Sequence, residues 1–280
     1  MQSLTNIASL SADEIKAILD VPLRGQHVRN GGSVALMFHE HSTRTRFSFT
    51  QATLRVGLTP VDLNPSFSSE QKGETTLDTC RNLAWAGARA IILRTGVNDL
   101  PDEVAKVVDV PVINAGDGTN EHPSQALGDA LTLLQHFKRI KGLTVAIVGD
   151  VNNSRVARSN AHLLSKFGAD VRCVSASEPR DIPTLCTDSL ESGLKDADVV
   201  MILRWQDERH LAGRVTKETY RITEEVLHTY APKAMVMHPG PVNRGIEVTS
   251  DVVDGPRSLV RSQVDNGVKA RTKLLLHLLG

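Results

Sequence analysis

At 280 residues, 40% hydrophobic and 23% charged, the chain has ordinary globular composition and enough apolar material for one large or two medium domains. Its 32 Lys and Arg balance 32 Asp and Glu, which argues against a nucleic-acid surface and leaves any anion site to a local gathering of arginines. The N-terminus lacks a basic stretch followed by an apolar one, and no apolar run reaches membrane-spanning length, so a cytoplasmic protein without membrane contact is expected. Cys80, Cys173 and Cys186 are widely spaced and have no metal-ligand spacing, which predicts reduced thiols and no disulfide framework.

Helical and strand patterns alternate along the chain. Residues 11–19 open with Ser-Ala-Asp-Glu, a capping pattern, and predict a helix. Residues 34–38 read as a strand, 47–55 as a helix ended by Gly57, and 59–63 as a short strand. Helix 75–86, strand 90–94, helix 100–107 and strand 110–114 complete a first unit with parallel strands. A helix over 124–137, with Ala126, Leu127, Ala130, Leu131 and Leu134 on its apolar face, begins just after Pro123. Strand 144–148, helix 154–167, strand 170–174, a helix at 190–194, and strands 199–203 and 234–237 form a second unit. A leucine-rich helix over 266–278 closes the chain. The predicted class is α/β, with two domains that each carry a central parallel sheet flanked by helices.

In open α/β sheets, ligands bind outside the carboxyl ends of the strands. That rule singles out Ser42-Thr43-Arg44-Thr45-Arg46 after the first strand. A helix start there turns free N–H groups and the positive end of a dipole toward an anion. The hydroxyls add neutral donors, and Arg44 and Arg46 add planar charged forks suited to phosphate or carboxylate. No glycine cradle is present, so this is not a P-loop, and Val148-Gly149-Asp150 lacks the rest of a dinucleotide fingerprint. A capped surface helix with solvated arginines is the plainer alternative for a lone Ser-Thr-Arg; five such residues after a buried-type strand favour the anion site. Further polar clusters follow the other strands: Arg94, residues 116–125, residues 150–155, Arg204-Trp205-Gln206 and His238-Pro239-Gly240-Pro241. His39 and His41, flanking Glu40, read as strand-end polar residues, and Asp129 and Asp150 as structural ones.

Ser42-Thr43-Arg44-Thr45-Arg46, Lys72-Gly73-Glu74-Thr75, His122-Pro123-Ser124-Gln125, Arg204-Trp205-Gln206-Asp207-Glu208-Arg209 and His238-Pro239-Gly240-Pro241-Val242-Asn243-Arg244-Gly245 occur in this order. Together they resemble the transcarbamoylases, and among them the aspartate carbamoyltransferase catalytic chains, from about residue 34 to the C-terminus. The resemblance implies a carbamoyl phosphate-binding domain over 1–123, a linking helix over 124–137 and an aspartate-binding domain over 138–263. A C-terminal helix over 264–280 would pack back on the first domain. It implies that Ser42, Thr43, Arg44 and Thr45 hold the phosphate of carbamoyl phosphate. Arg94 and His122, with Thr45, would contact its carbonyl oxygen, and Gln125 its nitrogen. Arg155, Arg204 and Gln206 would bind the aspartate carboxylates, with Lys72 beside them. Gly240 and Pro241 would offer backbone contacts. Ser68 and Lys72 would reach the site of an adjacent subunit in a homotrimer, within a larger assembly if a regulatory chain or dihydroorotase binds. Arg44, Thr45, Lys72, Arg94 and His122 are the implied catalytic set, with no cofactor and no metal.

The implied reaction is carbamoyl transfer to L-aspartate, the committed step of pyrimidine synthesis. An ornithine carbamoyltransferase shares the first and third motifs, but Arg204 would repel a cationic acceptor. A non-catalytic anion-binding partner subunit would be expected to lack one of Arg44, Lys72, Arg94, His122 or Arg204, and all five are present. The segment before Ser42 is short relative to the family. So is the stretch 175–190, with Pro179 and Pro183, and its shortening predicts loss of an outer layer of the second domain.

Overall fold

In the computed structural model, which describes residues 3–64, 66, 68–176, 182–205 and 217–280, the apolar runs form two parallel sheets. The chain divides into one unit of residues 1–131 and 265–280 and another of residues 132–264.

The first unit holds β1 (Ser33–Phe38), β2 (Thr59–Leu63), β3 (Ala88–Thr95) and β4 (Val112–Asp117) in the order β2-β1-β3-β4. Helices α1 (Ala12–Asp20), α2 (Arg44–Arg55), α3 (Thr76–Trp85) and α4 (Leu100–Val107) belong to it. Parallel pairing forces a crossover between successive strands, and α2, α3 and α4 supply these in turn. Strands covered on both faces read as continuous apolar runs, and Val34, Ala35, Leu36, Met37 and Phe38 are all buried. β2 is an edge strand, and it is there that Pro60 is tolerated, with Val61 exposed. The predicted capping box of α1 forms: the Glu14 amide donates to Ser11 Oγ, and the Ser11 amide to Glu14 Oε2.

The second unit holds β5 (Thr144–Val148), β6 (Asp170–Val174), β7 (Leu185–Thr187), β8 (Val199–Ile202) and β9 (Met235–Met237) in the order β7-β6-β5-β8-β9. Its helices are α6 (Arg155–Lys166), α7 (Leu190–Leu194), α8 (Glu224–Tyr230) and α9 (Ser250–Asp254). α5 (Pro123–Phe137) and α10 (Val260–Leu279) each run through a unit boundary.

Several bounds differ from the sequence expectation. α2 starts at Arg44, three residues early, so the arginines of the motif form its first turn. β4 extends to Asp117 because the pairing with β3 resumes at Thr95–Asp117 after a register shift, and side-chain bonds brace the irregular stretch: Asn114 Nδ2 donates to Asp117 Oδ1 at 2.7 Å, and the Gly116 amide to Asn114 Oδ1 at 2.7 Å. α10 starts at Val260, six residues early. The 175–190 stretch carries β7, which extends the sheet beside β6 rather than merely shortening a layer. α8 is capped by Thr223, with Glu224 and Glu225 in its first turn, a signal present in the sequence.

Within the first unit, α5 meets α10 backbone to backbone at Gly128 and Gly267. A Cβ on Gly128 would lie 3.1 Å from Gly267 Cα. Gly128→Val should therefore overpack this crossing at a cost of about 1–3 kcal/mol. Scanning calorimetry should register a Tm lower by several degrees, and an unchanged Tm would mean that the crossing is loose.

Candidate active site

Strand order determines which strand ends can meet. In the first unit the chain moves from β1 to β2 on one side and then returns to β3 on the other, so the sheet reverses at the β1/β3 junction. Such switch points open a crevice at the carboxyl ends. The residues at that edge are those the motifs single out: residues 42–46 follow β1, Arg94 lies near the end of β3, and His122 and Gln125 follow β4. Phe38 and Arg94 are register partners, and Arg94 Nε lies 3.5 Å from Glu40 Oε2 while its Nη1 donates to the Ala115 carbonyl at 3.3 Å. Glu40 thus aims the guanidinium across the strand ends, a role the sequence did not disclose.

Thr43 is the N-cap of α2, but its backbone is helical and no side chain caps the turn. The first-turn N–H groups thus receive no cap from Thr43, and a helix start of that kind leaves donors for an anion. Thr45 is buried, Ser42 half-buried, and Thr43 and Arg44 exposed. Arg46 departs from the expected anion fork: its guanidinium lies 5.2 Å over the Phe38 ring, and Nη1 is 3.5 Å from Asp62. Cation–π contact and the nearby carboxylate hold it on the β2 side.

His122 is 4% exposed and stands just before α5, with Nδ1 3.5 Å from Ser124 Oγ. Gln125 is half-buried one turn in, and its Nε2 donates to Asp129 Oδ1 at 2.9 Å. Asp129 was expected to be structural; the i,i+4 spacing from Gln125 was the signal that linked the two. Glu121 anchors the other side of His122 by accepting the amides of Ile7 and Ala8 at 2.8 and 3.1 Å.

Lys72 is exposed at the end of a short 3-10 turn over Ser69–Lys72, and Ser68 caps that turn by accepting the Glu70 amide. Neither residue packs into the core. A cavity of about 460 Å³ beside this turn is lined by Ser68 and the carboxylates of Asp62, Glu70 and Glu74, the wrong sign for phosphate. His39 pairs with Glu70 at 3.0 Å, and among the described residues no group of three His, Cys, Asp or Glu is arranged around a metal position. Burial pushes the Cys80 and Cys173 thiols up to about 12, with Glu70 adding to the effect at Cys80, so neither is a thiolate near neutral pH.

The second unit repeats the geometry. β5 leads outward to β6 and β7, and the chain returns to β8 and β9, so the switch point is β5/β8. Arg155 follows β5 as a buried first-turn residue of α6, whose N-cap is Ser154. Arg204 follows β8 and is half-buried, with Trp205 beside it. Gln206 lies outside the described residues. After β9, the Gly240 amide donates to His238 Nδ1 at 2.8 Å, so the ring proton is on Nε2, which donates to Glu247 at 3.1 Å. Glu247 also accepts the Asn243 amide at 2.6 Å. This buried pair, which the sequence did not signal, fixes the loop carrying Gly240 and Pro241.

The chain matches the family described as aspartate/ornithine carbamoyltransferase, carbamoyl-P binding domain, over residues 2–135, and the Asp/Orn binding domain of the same family over residues 141–278. The chain belongs to the aspartate/ornithine carbamoyltransferase family. Among carbamoyltransferases of known sequence it is 42% identical to the aspartate carbamoyltransferase catalytic subunit of Koribacter versatilis (strain Ellin345), over 99% of this chain and 97% of the relative. Among solved structures it resembles the ornithine carbamoyltransferase of Pyrococcus furiosus, with a TM-score of 0.88, 30% identity, and 100% and 97% of the two chains covered. It also resembles the aspartate transcarbamoylase of Trypanosoma cruzi in complex with aspartate and phosphate, at a TM-score of 0.83 and 27% identity, with 100% and 96% covered. The carbamoyltransferase fold thus hosts both acceptors. No helix among the described residues is long and apolar enough to cross a membrane.

Proposed function

We propose that this chain is an aspartate carbamoyltransferase, moving the carbamoyl group of carbamoyl phosphate to L-aspartate in de novo pyrimidine synthesis. The observation that carries this is the arginine placement: one switch point pairs an uncapped helix start and Arg44 with Arg94, and the other pairs Arg155 with Arg204. Two anionic substrates need two such places.

In this reading the phosphate is held by Ser42, Thr43, Arg44 and Thr45. Arg94, His122 and Thr45 donate to the carbonyl oxygen of carbamoyl phosphate. As the aspartate amine attacks, that oxygen gains charge, so preorganised donors stabilise the transition state more than the ground state. Gln125 receives the carbamoyl nitrogen. Arg155, Arg204 and Gln206 hold the aspartate carboxylates, and the backbone at Gly240 and Pro241 contacts the amines. Products are N-carbamoyl-L-aspartate and phosphate. Lys72 and Ser68 serve a neighbouring subunit's site in a homotrimer, a placement favoured by the exposure of Lys72 and by a turn that buries none of its residues. A cytoplasmic location and a larger assembly with a regulatory chain or dihydroorotase belong to the same reading.

Ornithine is the alternative acceptor, favoured by the likeness to the Pyrococcus furiosus enzyme. Against it, two arginines after β5 and β8 suit a dicarboxylate and repel a second amine. Purified chain with carbamoyl phosphate should form ureido product with L-aspartate and none with L-ornithine; the reverse would overturn the assignment.

A further inference from the structure

Behind Gln125 lies a buried charge relay that the proposed reaction does not itself use. Asp129 is fully buried and accepts the Gln125 amide at 2.9 Å. Arg271 of α10, 3% exposed, interacts electrostatically with Asp129; its Nη1 donates to Ser48 Oγ of α2 at 3.1 Å and to the Gly267 carbonyl at 3.0 Å. Its guanidinium lies 5.0 Å over the Phe49 ring. Burial lowers Arg271 to about 10 while the Asp129 charge opposes the fall, so it keeps its proton at neutral pH. The Gly128–Gly267 crossing makes the arrangement possible. A Cβ on Gly267 would lie 2.8 Å from Arg271 Nη1 and displace it.

An ionised carboxylate only accepts hydrogen bonds. Beside Asp129 the carboxamide of Gln125 must therefore present its NH2 inward, and its Oε1 points away from Asp129. An oxygen accepts from an amine and offers nothing to a methyl group. We infer that Asp129, held by Arg271, is a positioning residue that orients the Gln125 carboxamide and so makes the site select a carbamoyl group over an isosteric acetyl group. This rests on the placement of Gln125 at the carbamoyl nitrogen proposed above. A site built to hydrogen-bond an N–H rejects an analogue lacking it, because its own polar group is left unpaired.

Calorimetric titration with carbamoyl phosphate, acetyl phosphate and inorganic phosphate tests this in the full chain, with Gln125→Ala as the reference. Acetyl phosphate carries CH3 where carbamoyl phosphate carries NH2, and inorganic phosphate reports residues 42–45 alone. In Asp129→Asn the neighbouring amide accepts or donates, so either orientation of Gln125 is satisfied. The preference for carbamoyl over acetyl phosphate should fall roughly tenfold or more, while phosphate affinity stays within about twofold. Wild-type preference in Asp129→Asn, alongside a lost preference in Gln125→Ala, would overturn the inference and leave the proposed function standing. An unchanged preference in Gln125→Ala would overturn the placement of Gln125, and the inference with it. An equal loss for all three ligands would mark Asp129 as merely structural and overturn it too. Should the single variant not fold, Asp129→Asn combined with Arg271→Met leaves no lone buried charge and is judged by the same ratio. In the unaltered chain the Gln125 side-chain amide protons should exchange slowly by NMR; exchange at the rate of a free glutamine amide would overturn the orientation directly.

Discussion

Chains carrying Lys72→Ala and chains carrying Arg44→Ala should each be nearly inactive alone and regain activity when mixed under conditions that exchange subunits. Arg44 stands in the uncapped first turn of α2, where a charge-assisted bond to phosphate is worth about 1.5–3 kcal/mol. A guanidinium making two such bonds contributes about 3 kcal/mol at the low end, so its removal should weaken carbamoyl phosphate binding by roughly 100-fold or more. Lys72 is exposed on the turn that Ser68 caps, and in the proposed trimer it completes the neighbour's site. A head-to-tail ring gives hybrid trimers at least one interface that joins an intact Arg44 to an intact Lys72. The measurement is carbamoyl aspartate formation by the mixture, with mixed assembly verified by mass. Absence of recovery in verified hybrids, or full activity in a demonstrated monomer, would refute the shared site.

Arg204→Ala should abolish aspartate saturation while leaving carbamoyl phosphate binding intact. Arg204 follows β8 and Arg155 follows β5, at the switch point of the second sheet, whereas the residues proposed to hold the phosphate belong to the first. Losing one guanidinium from a dicarboxylate site removes charge-assisted bonds of about 1.5–3 kcal/mol each, and two lost together correspond to roughly 100-fold or more in the aspartate KM. Steady-state kinetics at saturating carbamoyl phosphate, with calorimetry for carbamoyl phosphate itself, separates the two terms. Normal aspartate kinetics would remove Arg204 from the acceptor site. A matching loss in carbamoyl phosphate affinity would mean that the substitution perturbs the fold instead.

Much of the fold and of the candidate site was legible because its signals are local. Strand and helix follow from apolar periodicity: the apolar runs before Ser42, Arg94 and Asp150 end in polar clusters, and the strand-end rule makes those clusters candidates from the sequence alone. The α1 cap was readable because Ser11 and Glu14 lie three residues apart. β7 lies at the sheet edge with Leu185 exposed, so no buried apolar run marked it, unlike the equally short β9. The early start of α2 was missed because its first turn, Arg44-Thr45-Arg46, is polar and lies outside the apolar pattern that marked 47–55.

From its sequence alone, this protein's α/β class, its pair of parallel-strand units and its ordered set of family motifs were determined, because residue type and spacing encode them. Strand order was left to the tertiary structure. Nothing local says that β3 returns beside β1 or β8 beside β5, yet that return creates the two switch points and gathers the arginines there. The structure also decided the pairings that set side-chain direction: Arg46 over Phe38, Glu40 against Arg94, His238 on Glu247, and Arg271 behind Asp129. Arg271 and Asp129 stand 142 positions apart, and only the close crossing of Gly128 with Gly267 brings them together. Such contacts depend on desolvation and on helices packing at one particular place, and a linear pattern of residue types carries neither.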